Sequence, residues 1–139
     1  EILNMKANEK KIHELYQELQ QWKSYIHFID DEMQFIDRLL NSYVFEPRTP
    51  NLFERLELFK QKFVKSKTDK QKMKRLITQH EGNMAGILEC TSTICGEGYR
   101  KKHTDFLKKL SDYVNDYLEL KSEIYAYAGS VLKRSKPLV

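Results

Sequence analysis

The chain has 139 residues, of which 40% are hydrophobic and 32% charged, and it carries a net charge of +4. The length suits one domain; the hydrophobic share excludes a highly charged disordered chain, and the charge density excludes a membrane-embedded one. Only 5 Gly and 3 Pro are present, which argues against collagen-like, loop-rich and turn-dense all-β architectures. No apolar run approaches the roughly 18 to 20 residues that cross a bilayer. The opening Glu1-Ile2-Leu3-Asn4-Met5-Lys6 lacks the basic region and apolar stretch of a signal peptide. Two cysteines are too few to staple a small secreted fold. A reduced, cytoplasmic protein is expected.

In the first third, Ile12, Leu15, Leu19, Trp22, Ile26, Ile29, Met33, Ile36, Leu40 and Tyr43 alternate at spacings of three and four. That is a heptad seam, and it predicts a helix over about 6–44. Pro47 and Pro50 interrupt it, with Thr49 and Pro50 reading as an N-cap and a first-turn proline. A second seam runs through Leu52, Leu56, Phe59, Phe63, Ser66, Lys70, Met73, Ile77, His80, Met84, Ile87 and Thr91, predicting a helix over 50–91. Gly82 and Gly86 weaken its end, and Gly96 and Gly98 read as terminators. A third seam, Tyr99, His103, Phe106, Leu110, Tyr113, Tyr117, Leu120, Ile124, Tyr127 and Val131, predicts a helix over 98–134.

Three helices of similar length joined by short breaks must run up, down and up. The expected fold is all-α: one domain over 1–139, an elongated antiparallel three-helix bundle, possibly completed by dimerisation. If the turns centre near Pro47 and Cys95, His13 falls level with about His80 and Leu110, Phe28 with Tyr125, and Phe35 with Leu132. Lys70 then lies near Trp22, Glu119 and Glu123.

Two features exceed what a bundle needs. The outer helices carry apolar residues beyond their seams, and Tyr25, Phe28, Phe35, Leu118, Tyr125 and Leu132 form a candidate patch. It either completes the core or forms a homodimer surface. The second helix carries a basic strip of Lys60, Lys62, Lys65, Lys67, Lys72, Lys74 and Arg75, with Lys70 in the seam and Asp69 its single acid. Nucleic acid or an anionic membrane surface would attract such a strip. Asp30-Asp31-Glu32, expected opposite residues 61–63, and Asp112, Asp116, Glu119 and Glu123 offer intramolecular partners instead. Aromatic interleaving is limited to Phe59 and Phe63, which the core claims.

Other chemistry is thinly represented. A seam lysine such as Lys70 specifies register or oligomeric state more often than it catalyses. The di-metal Glu-x-x-His motif is missing, His13 and His27 fall off the seam, and His80 and His103 are not expected to be level. No metal or cofactor is therefore expected. Cys90 and Cys95, four residues apart, match no zinc or redox spacing; two free thiols are expected, though the spacing permits a disulfide. There is no Gly-rich phosphate loop, nucleophile elbow or His-Glu-x-x-His. A packed coiled coil leaves little room for a substrate pocket, so no catalytic residue and no small-molecule substrate are expected.

His13-Glu14-Leu15 through Trp22, Tyr25, Asp31-Glu32, Phe35 to Leu40, Leu56 to Phe63 and His80-Glu81 together resemble small bacterial all-helical proteins of unknown function. The resemblance implies a bundle and no activity. The functional expectation is a non-enzymatic interaction or scaffolding module acting through helix–helix contacts, with polyanion binding through the basic strip as the alternative.

Overall fold

The computed structural model describes the backbone over residues 2–42, 50–88 and 93–135, and side chains within 12–42, 52–86 and 98–131. Three α-helices account for it: α1 (Ile2–Leu40, 39 residues), α2 (Pro50–Leu88, 39 residues) and α3 (Thr93–Ser135, 43 residues). At about 1.5 Å per residue these are rods of roughly 58 to 65 Å. They pack as an antiparallel three-helix bundle, α2 lying antiparallel to both α1 and α3. None of them is long and apolar enough to cross a membrane.

Local chemistry sets the described ends. Pro50 opens α2, where its missing N–H and fixed φ cost nothing. Asn41 closes α1: its backbone N–H and its Nδ2 both donate to the Asp37 carbonyl, at 3.2 and 2.8 Å. That stop comes four residues before the expected one. Tyr43, Val44 and Thr49 lie outside the described residues. The expectation that Gly96 and Gly98 terminate a helix is corrected, because α3 runs through both from Thr93. A glycine ends a helix by turning left-handed, and no described glycine has a positive φ.

The three seams form one core. Leu19, Ile29, Ile36 and Leu110 are fully buried, and every described seam residue of α3 is buried. Leu15 and Trp22 are partly buried against it. Two core tyrosines satisfy their hydroxyls across the bundle: Tyr113 donates to the Ser66 carbonyl and Tyr127 to the Leu52 carbonyl.

The heights of the helices differ from those expected. Glu81 accepts from Gln20 and Lys23, Asp37 pairs with Lys67, and Asp30 pairs with Lys70 and Lys74. Asp30 thus sits about three turns farther along α2 than residues 61–63. Lys70 meets Asp30 rather than Glu119 or Glu123. Between α1 and α3, Glu32 reaches Tyr117 and Lys121, and Glu18 lies 3.6 Å from His103. Phe28 is therefore level with the Val114 region, not with Tyr125, and Phe35 is not level with Leu132. The expectation placed each turn midway along its sequence break, whereas ion pairs and buried polar contacts fix the axial positions.

Gly82, Gly86 and Gly129 lie inside helices, exposed to solvent, and a methyl group added at each would meet nothing within 4 Å. No packing requirement holds them as glycine. Gly82→Ala, Gly86→Ala and Gly129→Ala should each raise stability by about 0.5–1 kcal/mol, additively, as read from urea midpoints.

Candidate functional site

The basic strip is largely tied down. Lys62 lies 3.9 Å from Glu123 on α3, and Lys60 the same distance from Glu57. Lys67 donates to Asp37 at 3.1 Å with its ammonium 5.0 Å from the Phe63 ring centre, and Lys74 pairs with Asp30. The groove between α2 and α3, about 470 Å³, sets Lys62 and Lys65 against Asp116, Glu119 and Glu123. Among the described residues, Lys65, Lys72 and Arg75 are exposed and make no ion pair. Four of the strip's seven cations thus face an acid within the chain, Lys60 and Lys62 at 3.9 Å on the surface.

Lys70 occupies a core position of α2 with its side chain 8% exposed, and its ammonium lies 2.5 Å from Asp30 Oδ1. Burial by itself would raise the Asp30 pKa. The hydrogen bonds and charges of Lys70 and Lys74 outweigh it and hold the carboxyl below its ordinary range.

On the opposite flank the outer helices meet through Glu32. Its carboxylate accepts from the Tyr117 hydroxyl at 2.5 Å and from Lys121 Nζ at 2.9 Å. Burial, followed by the hydrogen bond to Glu32, raises the Tyr117 pKa; the hydrogen bond to Glu32 raises that of Lys121. Tyr25 is half-buried beside this pair, in an aromatic ladder with Trp22 and Phe28 at 6.4 and 6.2 Å. Phe28 and Phe35 are each 55% exposed, Leu118 37% and Tyr125 39%. Five of the six patch residues therefore line one flank, along the α1–α3 groove. The Leu132 side chain lies outside the described residues. The opposition of Phe28 to Tyr125 is replaced by a staggered arrangement: Leu118 lies between Tyr117 and Lys121, level with Glu32, which is midway between Phe28 and Phe35.

A third group was not anticipated. His80 and His103, expected at different heights, are in contact, with His80 Nε2 and His103 Nδ1 2.8 Å apart. The Tyr99 hydroxyl lies 2.8 Å from the same His80 nitrogen. His80 enters α3 as a knob into the hole formed by Tyr99, His103 and Phe106, its ring stacked on those of Tyr99 (4.8 Å) and Phe106 (4.7 Å). Both histidines are seam residues, so the signal lay in the heptads; the wrong turn centre hid it. Burial and the neighbouring His103 charge push the His80 pKa down to about 4, and burial pushes Tyr99 up to about 12. No group of three or more His, Cys, Asp or Glu among the described residues converges as a metal site. Cys90 and the Cys95 side chain lie outside the described residues.

No family model, no curated protein and no solved structure matches the chain.

The Asp30 carboxyl, with a lowered pKa in the fold, contributes stability fully above the ordinary carboxylate pKa and loses it as pH falls through the lowered value. Removing Asp30 at neutral pH leaves Lys70 buried without its counter-charge. Asp30→Ala should cost about 3 kcal/mol, whereas Lys70→Met should fall within about 1 kcal/mol of wild type or exceed it. Guanidinium denaturation of the two variants checks the contrast.

Proposed function

We propose that the chain is a non-enzymatic helix–helix interaction module whose contact face is the α1–α3 flank, with a second copy of the same chain as its occupant. The observation that carries this reading is the spacing of the exposed apolar groups. Phe28 and Phe35 are seven residues apart on α1, and Leu118 and Tyr125 are seven apart on α3. With Leu118 level with Glu32, the two stripes interleave at about half-heptad steps along the axis. Another helix laid in the groove would find apolar contacts at the spacing of its own a and d positions.

Charge favours a like partner. Glu32 and Lys121, between the two stripes, neutralise each other at 2.9 Å, so this face does not repel its own copy. Lys65, Lys72 and Arg75 leave α2 with an exposed positive face that would. Folding leaves Phe28 and Phe35 more than half in water, and covering them would gain about 1 kcal/mol or more each. Polyanion binding is supported less well, because Lys60, Lys62, Lys67 and Lys74 have acidic partners within the chain.

Sedimentation equilibrium at tens of micromolar should give a dimer. Phe28→Lys combined with Leu118→Lys should give a monomer with unchanged helical circular dichroism. A wild-type monomer at that concentration would rule out self-association as the function of this face.

A further inference from the structure

The geometry of the His80–His103 pair points to a second property, independent of the α1–α3 face. The ring centres are 5.1 Å apart, the ring planes 26° from parallel, and the facing nitrogens 2.8 Å apart. The difference between the two distances is taken up by the radii of the two rings. The nitrogens therefore lie close to the line joining the ring centres, and the rings meet edge to edge. That arrangement has room for one proton between the nitrogens and none for a metal ion.

Proton counting gives the consequence. Two neutral imidazoles hold two protons on four nitrogens, and one of them can sit between His80 Nε2 and His103 Nδ1 as an N–H···N hydrogen bond. A third proton goes to one of the outward nitrogens. The central bond survives, and the single positive charge is shared across it. A fourth proton forces two N–H groups to face each other and places two cations in contact inside the core.

The surroundings favour the singly charged state and oppose the doubly charged one. From α1, Glu18 brings a carboxylate oxygen to 3.6 Å from His103 Nε2, which is buried and otherwise lacks a hydrogen-bond partner. From α2, the adjacent Glu81 is engaged by Gln20 and Lys23 and turns toward α1. From α3, the Tyr99 hydroxyl stays neutral beside His80, and Arg100 is the next residue along. One carboxylate thus faces a pair that could carry two charges. His80 and His103 are 6% and 2% exposed, so water cannot screen the second.

We propose that His80 and His103 form an acid-sensitive latch between α2 and α3, closed while the pair carries at most one extra proton and released when it takes the second. The sign follows from His80. Its pKa in the fold, about 4, lies below the ordinary 6.5, so its contribution is complete above pH 6.5 and is lost as pH falls toward 4. Release would separate the His80 ring from Tyr99 and Phe106 and open that level of the core without requiring α1 and α3 to part at Glu32.

The test is a titration of the full chain from pH 7.5 to 4, following imidazole nitrogen shifts and amide exchange corrected for intrinsic rates. One imidazole of the pair should stay neutral to below pH 5. Protection of amides near 77–84 and 99–107 should fall at least tenfold between pH 6.5 and 4.5, with smaller loss near 29–36. His80→Phe, which keeps an aromatic ring in the hole, should abolish that local acid sensitivity. If this variant fails to fold, His103→Gln, which removes the second charge and leaves His80 buried, should reduce the local acid sensitivity without abolishing it. Both imidazoles titrating together near pH 6.5, or equal local acid sensitivity in the variant, would overturn the proposal. The exposed His13 and His27 are distinguished by the residue-level readout.

Discussion

Lys70 is a cation at a core position, and the axial register of the bundle depends on where its counter-charge can be found. A heptad seam alone fixes register only to within multiples of seven, because sliding by one heptad restores the apolar matches. Asp30 removes that freedom for α1 and α2: only one register brings its carboxylate to both Lys70 and Lys74. With that level fixed, Asp37 falls beside Lys67, and Glu81 beside Gln20 and Lys23. Those outer pairs are half-exposed and individually weak. They agree with the register set by Asp30 and add little energy to it.

The other polar levels do the same for α3. His80 meets His103 and Tyr99 near one end of the α2–α3 hairpin, Ser66 meets Tyr113 in its middle, and Leu52 meets Tyr127 near the other end. Each couples a buried polar group to one partner across the interface. A slip by a heptad would strand the His80–His103–Tyr99 contact, at about 1–3 kcal/mol for each unsatisfied group, whereas Tyr113 and Tyr127 bond main-chain carbonyls that recur along α2. Glu32 then ties α3 back to α1 through Tyr117 and Lys121. The apolar seams supply most of the folding energy, and the interrupting polar residues select which of several similar bundles forms.

The helices were legible in the sequence because a heptad pattern is local: Ile12 to Leu40 predicts α1 without reference to any other segment. The register was not, because it depends on contacts between residues 19 to 89 positions apart. The glycines misled for a related reason. Gly96 and Gly98 suggested a break, and α3 includes both, since a glycine permits a left-handed turn without imposing one. Centring the second turn near Cys95 put His80 level with Leu110, about two helical turns from the His103 it meets. Phe28, Phe35, Leu118 and Tyr125 were legible as residues beyond the seams, but their staggered heights were not, because Glu32 rather than the length of any connection determines them.

Among the described residues, Phe28, Phe35, Leu118 and Tyr125 are exposed beside the α1–α3 groove, and Tyr16, Phe53, Leu58 and Val64 are exposed outside that set. α2 is antiparallel to both neighbours and carries basic residues on each flank, Lys67, Lys70 and Lys74 toward α1 and Lys62 toward α3, matched by acids across each groove. Those grooves are spanned by long side chains and still keep open volume, about 470 Å³ between α2 and α3 and about 520 Å³ between α1 and α2. The α1–α3 groove is bridged differently, by Glu32 at one level and by the approach of Glu18 to His103 at another. Among the described residues no other ion pair spans it; Tyr25, Leu39, Leu107 and Val114 take the flanking positions that charged pairs hold elsewhere, and Phe28, Phe35, Leu118 and Tyr125 lie farther out. Replacing them with Lys and Glu would have cost the fold little and gained solubility. An apolar stripe at heptad spacing beside the groove that Glu32 and Lys121 bridge leaves a place for a further helix to complete the bundle.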